Sequence, residues 1–212
     1  MKRILIFLLA LLLLTGCGTK APAAEAPTAE KPAEEIPVEE APVEEASVEE
    51  TPAEEPAEEP REYFGDFSGK TITGEALDQT FFANADLTII NMWATFCEPC
   101  KMEMPFLGAI DKEMENVQVL GVVTDVVNQN GELDESQVEL ALELLDAYGC
   151  GYPNLVYDQS LTHISRFAYL SGVPTTYFVD KEGNVVGLGF LGALDEDSWQ
   201  QIIAERLEMA QS

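Results

Sequence analysis

Basic residues are scarce in this chain of 212 residues: 11 Lys and Arg stand against 39 Asp and Glu, for a formal net charge of −28. With so little to neutralise phosphates, nucleic acid is excluded as a partner. Histidine occurs once, at His163, and cysteine four times, at Cys17, Cys97, Cys100 and Cys150. A structural zinc site needs about four ligands, which one Cys-x-x-Cys pair, a distant Cys150 and a lone histidine do not supply. Covalent haem attachment needs Cys-x-x-Cys-His, and Lys101 occupies the histidine position. No metal and no cofactor are therefore expected. The apolar run from Ile4 to Leu14 falls short of the about 20 residues that span a bilayer.

That run is present for another purpose. Lys2 and Arg3 precede it, so residues 1–16 read as an export signal. It ends in Leu14-Thr15-Gly16-Cys17, a bulky residue and two small ones before cysteine, which resembles a bacterial lipobox. The resemblance implies that Cys17 is lipidated and becomes the mature amino terminus. The protein would then sit on the outer face of the cytoplasmic membrane, on the periplasm or cell-wall side, without spanning it. Residues 17–60 carry a near-repeat of Ala, Pro, Glu and Val with no aromatic residue and no helical apolar period. Too little apolar surface exists there to offset chain entropy, so the segment is expected to be a disordered passive spacer. Its reach is about 40 Å as coil and about 130 Å as polyproline II. Its acidity repels it from anionic lipid and stands the domain off the surface.

Residues 61–212 suit one domain with a real core, expected to be monomeric. The run Leu87–Trp93, "LTIINMW", is a short apolar stretch without turn residues and reads as a buried strand. "KMEMPFLGAIDKEMEN" has helical spacing, and Val117–Asp125 reads as a second buried strand. "NQNG" at 128–131 is turn chemistry. Over Glu135–Tyr148, Val138, Leu142 and Leu145 are spaced like one helix face, ended by Gly149. "PNLVYD" and "TTYFVD" read as strands separated by a helix around Leu161–Leu170, "KEGN" as a hairpin turn into "VVGLGFLG", and Asp195–Met209 as a capped terminal helix. Phe178 and Trp199 fit core spacing. Strands alternating with helices and closing on a hairpin and a helix imply an α/β fold with a mixed central sheet flanked by helices.

Cys97 falls at the junction of a strand and a helix, where free N–H groups and the positive end of the helix dipole stabilise a thiolate. Cys100 lies one turn further on, within disulfide reach, so one sulfur can attack a substrate and the other can resolve the mixed disulfide. Pro99 suits the first helical turn, where its missing N–H costs nothing. A purely structural disulfide is the competing reading in an exported chain, although so short a loop constrains the unfolded state weakly.

The stretch Trp93-Ala94-Thr95-Phe96-Cys97-Glu98-Pro99-Cys100, followed by Glu103-Met104-Pro105 and later by "GVPTTYFVDKEG" from Gly172 to Gly183, resembles the thioredoxin-fold thiol-disulfide oxidoreductases of the TlpA/ResA type in lipoprotein form. The resemblance covers nearly all of the domain. It implies a thioredoxin-like fold, a redox-active Cys97–Cys100 disulfide with Cys97 as nucleophile and Cys100 as resolving thiol, and a substrate groove at Trp93 and Phe96, where Phe96 replaces the usual tryptophan. It implies a cis peptide at Pro174, with the Val173 backbone offered to a docked peptide in the manner of an added strand. Glu103 matches a family acid suited to proton transfer. Pro105 is expected to kink the helix.

Glu98 and Glu103 place negative charge near the pair, which disfavours a thiolate and leaves the disulfide the relatively stable form. The expected activity is therefore reduction of protein disulfides, at a potential nearer thioredoxin's about −270 mV than a strong oxidant's about −120 mV. The resemblance implies disulfide-containing exported proteins as clients, apocytochrome c or another, and a membrane thiol carrier as electron donor. Two rivals stay open: a thiol peroxidase on the same fold, and a displayed binding lipoprotein whose disulfide is inert. Cys150 reads as a free, partly buried thiol, with a third redox cysteine as the alternative, and His163 as a surface residue on a polar helix. Deleting residues Ala21 to Pro60 is expected to leave the thermal midpoint and insulin reduction unchanged while slowing exchange with membrane partners, because a spacer acts through reach and effective concentration.

Overall fold

The computed structural model describes residues 61–212. The expected signal sequence, the lipidated Cys17 and the spacer lie outside the described residues. The described chain opens with two short antiparallel strands, β1 (Ser68–Lys70) and β2 (Ala76–Asp78), followed by a 3-10 helix, Gln79–Asn84. Then come β3 (Leu87–Trp93), α1 (Glu98–Glu113), β4 (Val117–Val123), α2 (Glu135–Ala147), β5 (Asn154–Val156), α3 (Ser165–Ala168), β6 (Thr175–Asp180), β7 (Phe190–Leu191) and α4 (Glu196–Ala210). The main sheet has the order β5-β4-β3-β6-β7. Strands β3, β4 and β5 run parallel, while β6 is antiparallel to both β3 and β7.

Strand β3 is the central strand, and all seven of its residues are buried because helices or loops cover both faces of the sheet. Side chains alternate between those faces. Leu87, Ile89 and Trp93 pack with Met104 and Leu107 of α1, Ala141 and Leu145 of α2, and Trp199 and Ile203 of α4. Ile90 and Met92 pack on the other side with Phe64, Phe67, Phe82 and Phe167. Each such fully buried side chain contributes about 1.5–3 kcal/mol. On α1 the buried positions Cys100, Glu103, Met104 and Leu107 recur at helical spacing, so the same face carries the second cysteine and a carboxylate into the core.

The expected mixed sheet flanked by helices is found, and the structure corrects several details. The helix expected over Leu161–Leu170 is only the four residues of α3, because Asp158 accepts the Ser160 N–H at 2.7 Å and the Thr162 hydroxyl bonds the Gln159 carbonyl, which draws the preceding residues into turns. His163 thus lies in a turn rather than on a helix, with a ring nitrogen 2.7 Å from the Asp66 carbonyl. The expected return strand after "KEGN" is interrupted. Val185 bridges Val179, then the backbone turns at Gly187 (φ +65), against which the Arg206 guanidinium is packed, and pairing resumes only at β7. On α2 the buried pair is Ala141 and Leu145, while Leu142 is 39% exposed. Pro105 lies inside α1, which continues to Glu113 and does not stop at the proline, as expected for a proline within the active-site helix.

Gly121 of β4 lies directly under the Asn154 carboxamide, and a methyl group there would overlap it. Asn154 Oδ1 in turn accepts the Trp93 indole N–H at 2.8 Å. Gly121→Ala is therefore expected to expel Asn154 and strand a buried indole N–H, lowering unfolding free energy by about 2–4 kcal/mol in denaturant titrations. In the Gly121→Ala/Asn154→Ala double variant the loss should be smaller than the sum of the single losses, and strict additivity would refute the steric account.

Candidate functional site

Strand β3 delivers the chain to the site. After Trp93 the backbone turns, with the Cys97 N–H donating to the Ala94 carbonyl at 3.1 Å. Cys97 is the N-cap of α1: its Sγ accepts the Cys100 N–H at 3.2 Å, so sulfur takes the place that Ser or Asp oxygen usually fills. Cys97 and Cys100 form a disulfide across a Cα–Cα distance of 5.3 Å. Cys97 is 5% exposed and Cys100 1%, so Cys97 is the less deeply buried member of the pair. Pro99 occupies the first turn of α1, where no intrahelical N–H is lost. The turn before the pair is braced by Asp125, whose carboxylate accepts the Thr95 N–H at 2.9 Å and the Thr95 hydroxyl at 2.6 Å.

One turn beyond Cys100, Glu103 is completely buried. Asn91, in the middle of β3, donates its amide to Glu103 Oε1 at 2.9 Å and to Thr176 Oγ1 at 3.1 Å. The backbone N–H of Leu194, in the loop before α4, donates to Glu103 Oε2 at 3.2 Å. Burial pushes the Glu103 carboxyl up from 4.5 to about 7; the donors Asn91 and Leu194, and the nearby Trp199 indole, oppose that rise without cancelling it. The Trp199 N–H makes no hydrogen bond by geometry, so its effect is that of a neighbouring dipole. A carboxyl poised near neutrality beside a thiol can take up and return a proton at physiological pH.

The Val173–Pro174 peptide is cis. Thr175 Oγ1 donates to the Gly172 carbonyl at 2.7 Å, and the Gly192 N–H donates to the Pro174 carbonyl at 2.8 Å. Among the described residues neither the N–H nor the carbonyl of Val173 is hydrogen-bonded, so this half-buried residue has both backbone groups available. Phe96 is 72% exposed beside Cys97. Leu191, 60% exposed, lies against Gly172.

Two expectations need correction. Trp93, expected in the substrate groove, is fully buried, and its N–H is bound to Asn154, so it lies in the core beneath the site and not at the surface. Glu98, expected to tune the pair, is exposed and ion-paired with Lys101 at 2.7 Å, so solvent and a counter-charge screen its field. Asn91 and Leu194 were not anticipated. The signal for Asn91 was a lone amide inside an otherwise apolar strand; a backbone donor such as that of Leu194 leaves none. Cys150 is free and buried, its thiol 3.3 Å from the Met104 carbonyl and its proton affinity raised by burial.

The raised proton affinity of Glu103 has a definite sign for stability. Below about pH 4.5 the carboxyl is protonated in both folded and unfolded chains; as pH rises toward about 7 the unfolded chain releases the proton first, so folded stability is lost across that window. The loss is roughly 3 kcal/mol at about 1.4 kcal/mol per pH unit. Glu103→Gln should remove this component: the variant's unfolding free energy should gain on the wild type by about that amount between acid and neutral pH, measured by urea titration. Parallel pH profiles would mean that the carboxyl titrates in its ordinary range.

Among the described residues no helix is long and apolar enough to cross a membrane. Residues 1–17, ending at Cys17, match the prokaryotic membrane lipoprotein lipid attachment site, so the chain is a lipoprotein anchored at a membrane outside the cytoplasm. The thioredoxin-like protein YneN of Bacillus subtilis (strain 168) is 33% identical over 118 residues, covering 56% of this chain and 64% of that protein. The thiol-disulfide oxidoreductase ResA of Oceanobacillus iheyensis is 30% identical over 125 residues, covering 57% of this chain and 59% of that protein. The chain thus spans about three-fifths of the length of these curated relatives. Among solved structures, the pneumococcal exposed lipoprotein thioredoxin from Streptococcus pneumoniae strain TIGR4 superposes with a TM-score of 0.53 at 27% identity, covering 66% of this chain and 99% of that one. A thiol:disulfide interchange protein from Chlorobium tepidum TLS gives 0.58 at 21% identity, covering 71% and 99%. The domain therefore has the thioredoxin fold, and since the AhpC/TSA family model matches residues 60–187, more than half of the chain, the protein belongs to the AhpC/TSA family.

Proposed function

We propose that this lipid-anchored domain is a thiol-disulfide oxidoreductase that reduces disulfides in exported proteins, with Cys97 and Cys100 as the exchanging pair. The observation that carries the reading is the conjunction, at one helix start, of a disulfide whose less buried member is Cys97, a buried carboxyl one turn away, and an unpaired Val173 backbone beside the cis proline. In the reduced enzyme the Cys97 thiolate, stabilised by the N–H groups and dipole of α1, attacks one sulfur of a client disulfide. The client's S–S bond breaks, a mixed disulfide forms, and one client thiolate leaves. Cys100 then gives its proton to Glu103 and attacks Cys97 Sγ; the Cys97–Cys100 bond forms and the second client thiolate leaves. Two electrons pass from the pair to the client, and a dithiol donor must return two electrons to the pair before another turn.

Glu103 serves as proton acceptor for Cys100, and Val173 with Pro174 and Phe96 forms the docking surface. Pro99 stiffens the first turn that fixes the spacing of the sulfurs. The client is an exported protein, apocytochrome c or another, docked as an added strand on Val173. The donor is a membrane thiol carrier, reached from the anchor through the spacer of residues 17–60 on the outer face of the cytoplasmic membrane.

The roles of the two sulfurs are separable. Cys100→Ser is expected to accumulate covalent complexes with exported proteins, seen as dithiothreitol-sensitive bands on non-reducing gels, whereas Cys97→Ser accumulates none. Equal trapping by both variants would reverse the assignment of nucleophile, and trapping by neither would leave the disulfide inert.

A further inference from the structure

Two hydrogen bonds leave one short loop in opposite directions. Gly192, just after β7, donates its N–H to the Pro174 carbonyl at 2.8 Å; Leu194, two residues on, donates its N–H to Glu103 Oε2 at 3.2 Å. Only Ala193 separates them, and Asp195 then caps α4, so the loop is fixed at its far end as well. Gly192 has φ +111, a conformation that side-chain-bearing residues rarely adopt, with open space around it. One end of the loop therefore holds the peptide unit next to Val173, and the other holds the buried carboxyl.

Resting on the thiol-disulfide reading above, we propose that Gly192–Leu194 is a strap that couples docking of a client chain on Val173 to ionisation of Glu103, so that the carboxylate forms when Cys100 has to lose its proton. A strand paired with the Val173 backbone holds the adjoining Pro174 carbonyl in place, and through it the Gly192 N–H. That positions the Leu194 N–H, whose 3.2 Å bond to Glu103 is at the long end of the normal range and has room to shorten. A shorter bond favours the charged form of the acceptor. Asn91 holds the other oxygen against the sheet, so the strap acts on a carboxyl that cannot turn away.

The other titratable groups around Glu103 do not produce this coupling. Cys100 faces it from the preceding turn of α1. From the loop between α2 and β5 comes Tyr152, whose buried hydroxyl has no hydrogen-bond partner and which is coupled in charge to Glu103, Cys150 and Asp111. Among the described residues none of these side chains is hydrogen-bonded to Gly192–Leu194.

The test uses the full-length lipoprotein in nanodiscs carrying Cys100→Ser, so that Cys97 can hold a stable mixed disulfide with either of two partners. One partner is a short β-branched cysteine peptide and the other is 2-mercaptoethanol, which has no backbone to pair with Val173; both are added as their thiopyridyl mixed disulfides, so that Cys97 displaces thiopyridone in each case. The readout is the pH midpoint of the protonated-carboxyl C=O stretch by infrared difference spectroscopy, assigned to Glu103 by its loss in Glu103→Gln. The midpoint is expected to lie about one pH unit lower in the peptide disulfide than in the 2-mercaptoethanol disulfide, the size of one strengthened hydrogen bond to a charged group. Gly192→Ala, which disfavours the loop conformation, should abolish the difference. So should a peptide N-methylated at the position that pairs with Val173, a control that leaves the protein unaltered. Coincident midpoints in the two disulfides, or a difference that survives the N-methylated peptide, would overturn the strap. Insulin reduction by the wild type is measured in parallel: coincident midpoints in a protein that reduces insulin refute the strap alone, and failure of the peptide to form a disulfide with Cys97 refutes both the strap and the reductase reading.

Discussion

The arrangement depends on one unfavourable act, the burial of the Glu103 carboxyl on the apolar face of α1. A carboxylate without water costs several kcal/mol unless it is protonated or hydrogen-bonded, and this one is partly both. Its two oxygens are met by donors from two different parts of the fold, the Asn91 amide on the central strand and the Leu194 N–H before α4. Two donors against complete burial leave it near 7, the only range in which it exchanges protons with a thiol at neutral pH. The polar residue at the centre of β3 and the close approach of the α4 loop are explained by that balance.

The second constraint is the helix start. Cys97 caps α1 with sulfur, accepting the Cys100 N–H that a hydroxyl or carboxylate would otherwise take. The same N–H groups that need a cap in the resting fold stabilise a thiolate once the disulfide opens, so the local folding problem and the chemistry share one solution. Upstream, Asp125 holds Thr95 by two contacts, so the turn carrying Phe96 and Cys97 is tied to the end of β4. Its sulfur therefore stands on a rigid junction of strand, turn and helix.

How much of this was legible in the sequence follows from how local each signal is. "LTIINMW" read as a buried strand because its apolar and β-branched residues are interrupted only by Asn91, and Asp195 read as a cap because its partners lie within one turn. The cysteine pair and cis Pro174 were legible through the resemblance carried by two motifs. Trp93 was misplaced as a groove residue because its partner, Asn154, is 61 positions away and leaves no local mark. The return strand after "KEGN" was over-extended because Arg206, far along the chain, packs where Gly187 turns. The Leu194 contact was illegible in principle: it is made by a backbone N–H that any residue but proline would supply.

The two acids beside the cysteines, alike in sequence, differ in effect for a physical reason. Glu98 projects into solvent with its side chain 79% exposed and is paired with Lys101, so its charge reaches the sulfurs through water and past a compensating cation. Glu103 acts through the protein interior, where the same charge is far less screened. Influence on the thiols therefore belongs to the interior acid, and it is conditional, because a protonated Glu103 exerts no charge. An ionised Glu103 opposes a thiolate at Cys100, whereas accepting the Cys100 proton removes that opposition at the step in which the thiolate is needed. In the exchange proposed above, the group whose charge opposes a Cys100 thiolate is the same one that takes up the Cys100 proton.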